Sequence, residues 1–454
     1  MLEIVRKTIL EYDMIKPGEL ILAAVSGGPD SIAMLHCLSR LAGEFQFKLH
    51  VVHINHGLRP ESKEEAEFVS EFAKSLGIGV SVHELGGKTL RHGSLQEWAR
   101  EARRQVLLEE CKVLGGAKIA LGHNANDQAE TVLQRLLRGG GTSGLGGIYP
   151  KREQIIRPLL FLNRRQIEKY IEFEKLEFRT DTSNYKPIYL RNKIRLQLIP
   201  VLEAEYNPRL VETLSKTALI LQEDNIYLDL EAARKFEEAV SIIGNSYYMS
   251  HPVFKLPAPI IKRIIRRAFS LLTGDPRGLE FEHVNRVVVF AQTGYSGSFL
   301  ELPDGVRVYK EQEGMLFSYK AISWPKIEER ILDVPGETAI PELGMVIRTR
   351  IVDNPACFPL PEGAWSIVMD YEQVSLPLIL RGRIPGERIF LKGSFRKLKE
   401  IFNERKIPIR LRETSPVIVQ GDEVLWIPGI IRSDRSKVQT NTVRVLELVA
   451  TTKC

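Results

Sequence analysis

Apolar residues between Leu20 and Arg138 follow two alternating patterns. Leu20–Val25, Lys48–Ile54, Gly79–His83 and Lys118–Gly122 are short runs bounded by glycine or polar turns. They are too short for helices and are predicted as strands. Between them, Ser31–Leu41, Glu61–Leu76, Ser94–Val113 and Asn126–Arg138 repeat apolar positions three and four apart, as helices with one buried face do. Strand alternating with helix predicts a parallel sheet covered by helices, with ligands beyond the carboxyl ends of the strands.

The pattern then breaks at Gly139-Gly140-Gly141-Thr142-Ser143-Gly144-Leu145-Gly146-Gly147. So many glycines predict an unpacked, mobile loop; its place after a helix at the sheet's ligand end makes it a lid, and a plain linker has the same composition. Beyond Pro200 the pattern turns helical. Ile260, Ile261, Ile264, Ile265, Ala268, Leu271 and Leu272 form one core stripe, with Lys262, Arg263, Arg266 and Arg267 on other faces, solvated or in contact with nucleic acid. From about Ser298 alternation around Pro303-Asp304-Gly305 predicts a hairpin, and the remainder is rich in proline, glycine and strand-like runs.

At 454 residues, 44% hydrophobic and 26% charged, the chain is an ordinary globular protein of two or three domains; disordered, collagen-like and disulfide-scaffold classes are excluded. The net charge of +6 is unevenly placed. Arg381–Arg412 carries eleven basic residues against three acids, so the rest is slightly acidic. Such a segment fits a polyanion, and a solvated basic face gives the same pattern. Cys37, Cys111, Cys357 and Cys454 are too scattered for a C-x-x-C pair or a zinc knuckle, which fits a reducing compartment. Glu3, Glu11 and Asp13 interrupt the start where a leader would need an apolar core, and no run approaches a membrane span; the expectation is a soluble, cytoplasmic chain with no membrane partner.

Ser26-Gly27-Gly28-Pro29-Asp30-Ser31 lies between the first strand and the first helix of the alternating region. Glycines let the backbone approach an anion, N–H groups and serine hydroxyls donate hydrogen bonds, and the helix presents its positive end. Asp30 alone would repel phosphate, so its presence implies Mg²⁺ between carboxylate and phosphates. A strand-to-helix turn capped by serine would need none of this. Gly87-Lys88-Thr89 imitates part of a P-loop but lacks the earlier glycine, Val82 standing there.

The hexapeptide resembles the S-G-G-x-D-S signature of the PP-loop ATP pyrophosphatases, which cleave ATP between the α- and β-phosphates and pass AMP to an oxygen of the substrate. Three further segments, His53-Ile54-Asn55-His56-Gly57-Leu58-Arg59, Leu121–Thr131, and Asp181-Thr182-Ser183-Asn184 with Arg191-Asn192-Lys193-Ile194-Arg195 and Pro200, are similar to the tRNA(Ile)-lysidine synthetase family. The chain departs from that family at Asn124, where members usually carry His, and at Asn126, where a second acid is frequent.

The resemblance implies an α/β fold: a parallel Rossmann-like sheet of the adenine nucleotide alpha hydrolase type in a catalytic domain over 1–205, a mainly helical substrate-binding domain over 206–325, and a basic, β-rich α+β tRNA-binding domain over 326–454. It implies an ATP-dependent ligase that joins L-lysine to carbon 2 of the wobble cytidine of isoleucine tRNA with a CAU anticodon. An adenylated cytidine is the intermediate, pyrophosphate and AMP are released, and codon and amino-acid identity change from Met to Ile. Ser26, Gly27, Gly28, Pro29, Asp30 and Ser31 would hold ATP with His53 and His56, Asp30 and Asp127 would hold Mg²⁺, and Arg191 and Arg195 would act beside them. Arg100, Arg103 and Glu130 would contact lysine or phosphate. Arg388, Lys392, Arg396, Lys397, Lys399, Arg405, Lys406, Arg410 and Arg412 would bind tRNA. Phe402 and Trp426 near this segment fit base stacking or, more simply, a core. A PP-loop tRNA thiolase and a non-catalytic RNA-binding protein are the alternatives, the first weakened by the lack of a C-x-x-C pair. The oligomeric state is open, a homodimer included.

Overall fold

The computed structural model describes residues 1–55, 62–84, 95–115, 118–179, 190–275, 278–319, 325–353 and 364–452. His56, Arg59, Asp181–Asn184, Cys357 and Cys454 lie outside the described residues, as do the side chains of Arg100 and Arg410. The chain divides into two compact units, Met1–Tyr227 and Leu228–Cys454.

In the first unit α1 (Leu2–Glu11) precedes β1 (Leu20–Ala24), α2 (Pro29–Phe45), β2 (Lys48–Asn55), α3 (Ser62–Ser75), β3 (Gly79–Glu84), α4 (Leu95–Val113), β4 (Lys118–Ala120) and α5 (Ala125–Leu137). These strands and helices match the alternation in the sequence to within a few residues at each end. A short helix α6 (Thr142–Leu145), an edge hairpin β5 (Lys151–Arg152) and β6 (Ile155–Ile156), and α7 (Arg164–Phe173) follow. Among the described residues the sheet runs β3-β2-β1-β4-β6-β5, with only the β5–β6 pair antiparallel.

Ile21, Ala23 and Val51 from the sheet pack with Ile32, Leu35 and Leu38 of α2 in a fully buried layer. The chain leaves β1 toward β2 on one side and reaches β4 on the other only after β3. The connections diverge between β1 and β4 and leave a crevice at their carboxyl ends. Beyond α7 come α8 (Leu190–Lys193), one turn of π-helix (Ile194–Leu198), α9 (Ile199–Glu205) and the long α10 (Leu210–Ala239), within which the unit boundary falls. Single π turns inside helices are frequent at functional sites.

In the second unit β7 (Val240–Ile243), β8 (Ser246–Ser250), α11 (Ala258–Thr273), α12 (Phe281–Thr293), β9 (Phe299–Glu301), β10 (Val306–Lys310) and β11 (Gly314–Tyr319) form a sheet of order β7-β8-β11-β10-β9 with two helices packed on it. The β9–β10 pair is the hairpin expected around Pro303-Asp304-Gly305. The α11 stripe is core as far as Phe269, but Leu271 is exposed. Its cations are not simply solvated: Arg263 pairs with Asp229 at 2.8 Å, Arg267 with Glu237 at 3.5 Å, and Lys262 sits over the Phe281 ring.

The rest is two mainly antiparallel sheets. One contains β13 (Gly336–Ile340), β14 (Met345–Asp353), β15 (Ser366–Asp370) and β22 (Arg444–Thr452); the other contains β12 (Arg330–Ile331), β16 (Ile379–Gly382), β17 (Arg388–Leu391), β18 (Ser394–Lys397), β19 (Pro416–Gln420), β20 (Glu423–Ile427) and β21 (Ile431–Arg432). Helices α13 (Leu398–Glu404) and α14 (Ile409–Thr414) join β18 to β19. Phe402 and Trp426 are fully buried, which settles both as core. No described helix is long and apolar enough to cross a membrane, and Cys37 and Cys111 are buried thiols.

Candidate active site

The β1–α2 turn is shaped by one glycine and two hydroxyls. Gly27 has φ +86°, where a side chain would be strained, and Gly28 caps α2 with Pro29 in its first turn. Ser31 Oγ donates to the Gly28 carbonyl at 2.9 Å and accepts from the Ser26 N–H at 3.2 Å, with Ser26 Oγ 3.3 Å away. The loop thus folds back over the helix N-terminus. His53 is buried, and its Nδ1 donates to the Val25 carbonyl at 2.8 Å. Burial holds its pKa below the usual imidazole value despite that bond, so a neutral ring braces the loop from β2.

Five side chains from three elements converge with Asp30. Asn124 caps α5: its Oδ1 accepts from the N–H groups of Asn126 and Asp127, and Asp127 Oδ2 accepts from the Asn124 N–H at 3.0 Å. The same amide donates through Nδ2 to Asp30 Oδ1 at 3.0 Å. Arg191 forks onto two acids, Nη2 to Asp127 Oδ1 at 2.6 Å and Nε to Glu130 Oε2 at 2.7 Å, while Arg195 Nε stands 3.7 Å from Glu130 Oε1. Gly122 permits this convergence, since a Cβ there would stand 3.3 Å from the Asp30 and Ser31 backbone.

Burial sets the electrostatics of the two innermost carboxyls. Burial, and next the charge of Asp127, push Asp30 up to about 6. Burial also raises Glu130, only 3% exposed, against the pull of Arg191. A Mg²⁺ ion bound through one or two carboxylates and substrate phosphates suits Asp30, whose Oδ2 takes no hydrogen bond among the described residues. Asp127 has both oxygens engaged and fits the ion only if Arg191 turns away. Among the described residues no cluster of three or more potential metal ligands exists.

The glycine segment corrects an expectation. Its second half is packed, with Gly146 and Gly147 buried, while Gly139, Gly141, Thr142 and Ser143 stay exposed. Arg135 donates to the carbonyls of Gly144 and Gly147 at 2.6 and 3.0 Å, Gln222 donates to those of Gly146 and Ile148, and the Ile148 N–H donates to Gln128 Oε1 at 2.6 Å. Glycine is needed here for close approach, since a Cβ on Gly147 (φ +64°) would lie 2.4 Å from Gln128 Oε1. Gly147→Ala is therefore expected to destabilise this unit by about 1–3 kcal/mol, read as a lower urea midpoint. A mobile loop would show no change.

Arg103 is exposed on α4. In the basic segment much of the charge is neutralised internally. Arg381 pairs with Glu387 at 2.6 Å, Arg383 with Glu413 at 2.9 Å, Lys406 with Glu313 at 3.0 Å and Arg396 with Glu404. Arg405 donates to the Ile430 carbonyl, and Arg412 to the Ile407 carbonyl and Asn403. Arg388, Lys392, Lys397 and Lys399 are exposed and make no ion pair among the described residues.

In the sequence Asn124 and Asn126 stand out only as departures from the family's pattern. Asn124 instead links Asp30 to Asp127, and Asn126 Oδ1 accepts from the Arg164 N–H at 2.9 Å, fixing the start of α7 to that of α5. The N-x-x-D spacing of a capping box was the available signal. Nothing local announced the buried amides Gln128 and Gln222.

The family described as the PP-loop domain matches residues 1–202, and the TilS substrate C-terminal domain matches residues 378–448. A tRNA(Ile)-lysidine synthase from Caldanaerobacter subterraneus subsp. tengcongensis is 36% identical over 98% of this chain and 97% of its own. Another from Symbiobacterium thermophilum is 35% identical over 97% and 96%. A solved structure titled as a TILS C-terminal domain is 31% identical, covering 28% of this chain and 99% of its own, with a TM-score of 0.25. Likeness at this level along almost the whole of both full-length relatives means that the chain belongs to the tRNA(Ile)-lysidine synthase family.

Proposed function

We propose that the protein converts the wobble cytidine of isoleucine tRNA with a CAU anticodon to lysidine, using ATP and free L-lysine in the cytoplasm. The carrying observation is the juxtaposition of the Ser26–Ser31 cradle with the Asp30, Asn124, Asp127, Glu130 and Arg191 cluster at the β1–β4 crevice. In the first step the cytosine O2 attacks the α-phosphate and pyrophosphate leaves. Backbone N–H groups of the loop and the hydroxyls of Ser26 and Ser31 hold the departing phosphates, and donors fixed in advance stabilise the developing charge. Asp30, joined by Asp127 once released, would hold Mg²⁺, which supplies charge neutralisation on the phosphates.

In the second step the lysine ε-amine, having lost its ammonium proton, attacks carbon 2, and AMP leaves with the O2 oxygen while the new C–N nitrogen gives up a further proton to solvent. Activation comes first because a ring oxygen is a poor leaving group until it carries the adenylyl group. Asp127 and Glu130 are suited to an incoming ammonium, and Arg191 and Arg195 to phosphate or the lysine carboxylate. His53 and His56 serve the nucleotide, and Arg100 and Arg103 the lysine or a phosphate.

Arg388, Lys392, Lys397 and Lys399 are the main phosphate contacts for tRNA, with Arg396, Arg405, Lys406, Arg410 and Arg412 at the margin. Phosphate contacts release counterions, so Lys397→Ala and Lys399→Ala should each weaken tRNA binding and lower the log–log salt slope by about one. Radiolabelled lysine tests the reading as a whole. Label should enter tRNA with a CAU anticodon only when ATP is present. Transfer of sulfur in place of lysine, or binding without ATP consumption, would support the thiolase or RNA-binding alternative.

A further inference from the structure

We propose that the outward face of the β17–β18 ribbon is a stacking platform for an unpaired nucleotide of bound RNA, a reading that rests on the tRNA assignment above and extends it. The two strands pair with Arg388 opposite Lys397, Ile389 opposite Arg396, Phe390 opposite Phe395 and Leu391 opposite Ser394. Lys392 and Gly393 join them at φ +48° and +83°, the paired positive values of a two-residue hairpin turn. Side chains alternate across a strand, so Arg388, Phe390, Phe395 and Lys397 share one face. Ile389 lies on the other face and is fully buried in the core.

The outward face of a half-buried antiparallel ribbon is ordinarily polar. Here it carries an aromatic pair, centroids 5.3 Å apart edge to face, and Phe395 is 48% exposed. The Arg435 guanidinium lies over both rings, 4.9 Å from the Phe390 centroid and 5.2 Å from that of Phe395. Arg388 and Lys397 are like charges directly opposite each other, a destabilising arrangement, and neither has an ion pair among the described residues. A phosphate between them relieves the repulsion.

Arg435 also lines a polar cleft of about 260 Å³ whose walls include the amides of Gln373, Gln420 and Gln439. Its acids are already partnered, Glu423 with Arg435 at 3.2 Å and Asp434 with Lys437 at 2.8 Å. Exposed ring, flanking uncompensated cations and adjacent amides match the chemistry of single-stranded nucleic acid, in which bases are free to stack on aromatic side chains. Duplex RNA would use the cations and leave the ring without a role.

The test uses the full chain with two probes, a short single-stranded oligoadenylate containing 2-aminopurine and a blunt RNA duplex of equal length. The single strand should bind more tightly and its fluorescence should be quenched. Phe395→Leu should weaken it about tenfold and abolish the quench, and Phe395→Trp should restore both. Lys397→Ala should weaken both probes while keeping the quench. Single-strand affinity unchanged in Phe395→Leu, or duplex bound equally well, overturns the proposal. The parent reading is judged separately: wild-type protein that releases no AMP with tRNA defeats the catalytic assignment and leaves the oligonucleotide result standing.

Discussion

Asp30→Asn is expected to cut AMP formation by about 10³-fold or more, to leave tRNA affinity within about twofold, and to stabilise the ligand-free protein above pH 6. The rate effect follows from losing the carboxylate suited to a cation at the transferring phosphate, worth several kcal/mol. The stability effect has the opposite sign because Asp30 is a buried acid raised from 3.8 to about 6. A group whose folded pKa is raised binds its proton more tightly in the native state. Its contribution is fully favourable below pH 4, falls as pH rises through 6, and then levels off at a cost of about 3 kcal/mol. Asparagine carries no such cost and can still accept from Asn124. Urea unfolding of both proteins at pH 4 and pH 7.5 should give a difference near zero at the lower pH and about 1–3 kcal/mol in favour of Asp30→Asn at the higher. In the active enzyme, kcat/KM for ATP should rise with pH through an apparent pKa near 6. A variant equally stable at both pH values, or one that keeps its activity, contradicts the assignment.

Arg191→Met should give the second largest loss. The guanidinium binds Asp127 and Glu130 at once, and Glu130 is almost fully buried. Removing one partner of a buried pair typically costs 3–5 kcal/mol, and since the Arg191 side chain is 39% exposed we expect about 2 kcal/mol. The double variant Arg191→Met, Glu130→Gln should recover more than about 1 kcal/mol of that loss, because the stranded charge is then gone. Lysine transfer should fall by about 10²- to 10³-fold in the single variant, the range for losing one pre-positioned donor. Additive losses in the urea cycle would mean that the fork carries no coupling, and undiminished transfer would remove Arg191 from the reaction.

The hydrophobic pattern located the four strand–helix pairs because each is a local periodicity. Leu20–Val25 was expected as the first strand and β1 spans Leu20–Ala24. The two-residue strands β5 and β6 are too short to have a period, and strand order depends on pairings between distant segments. The hexapeptide loop was legible since its chemistry lies in six adjacent residues. The bond from Asn124 to Asp30 joins residues 94 positions apart and leaves no local trace. The glycine segment misled for a related reason: composition records the absence of side chains, but close packing depends on Gln128 and Gln222, which lie elsewhere in the sequence. The net charge of the basic segment likewise could not reveal which cations are neutralised by Glu313, Glu387, Glu404 and Glu413.

Incubation with isoleucine tRNA and ATP labelled at the α-phosphate, with lysine withheld, separates the chemistry of the cradle from every later step. Label should become attached to the tRNA with stoichiometric pyrophosphate, and added lysine should then discharge it as AMP. Formation of ADP, or label that never leaves the free nucleotide, would contradict the claim that the loop grips the two phosphates that depart.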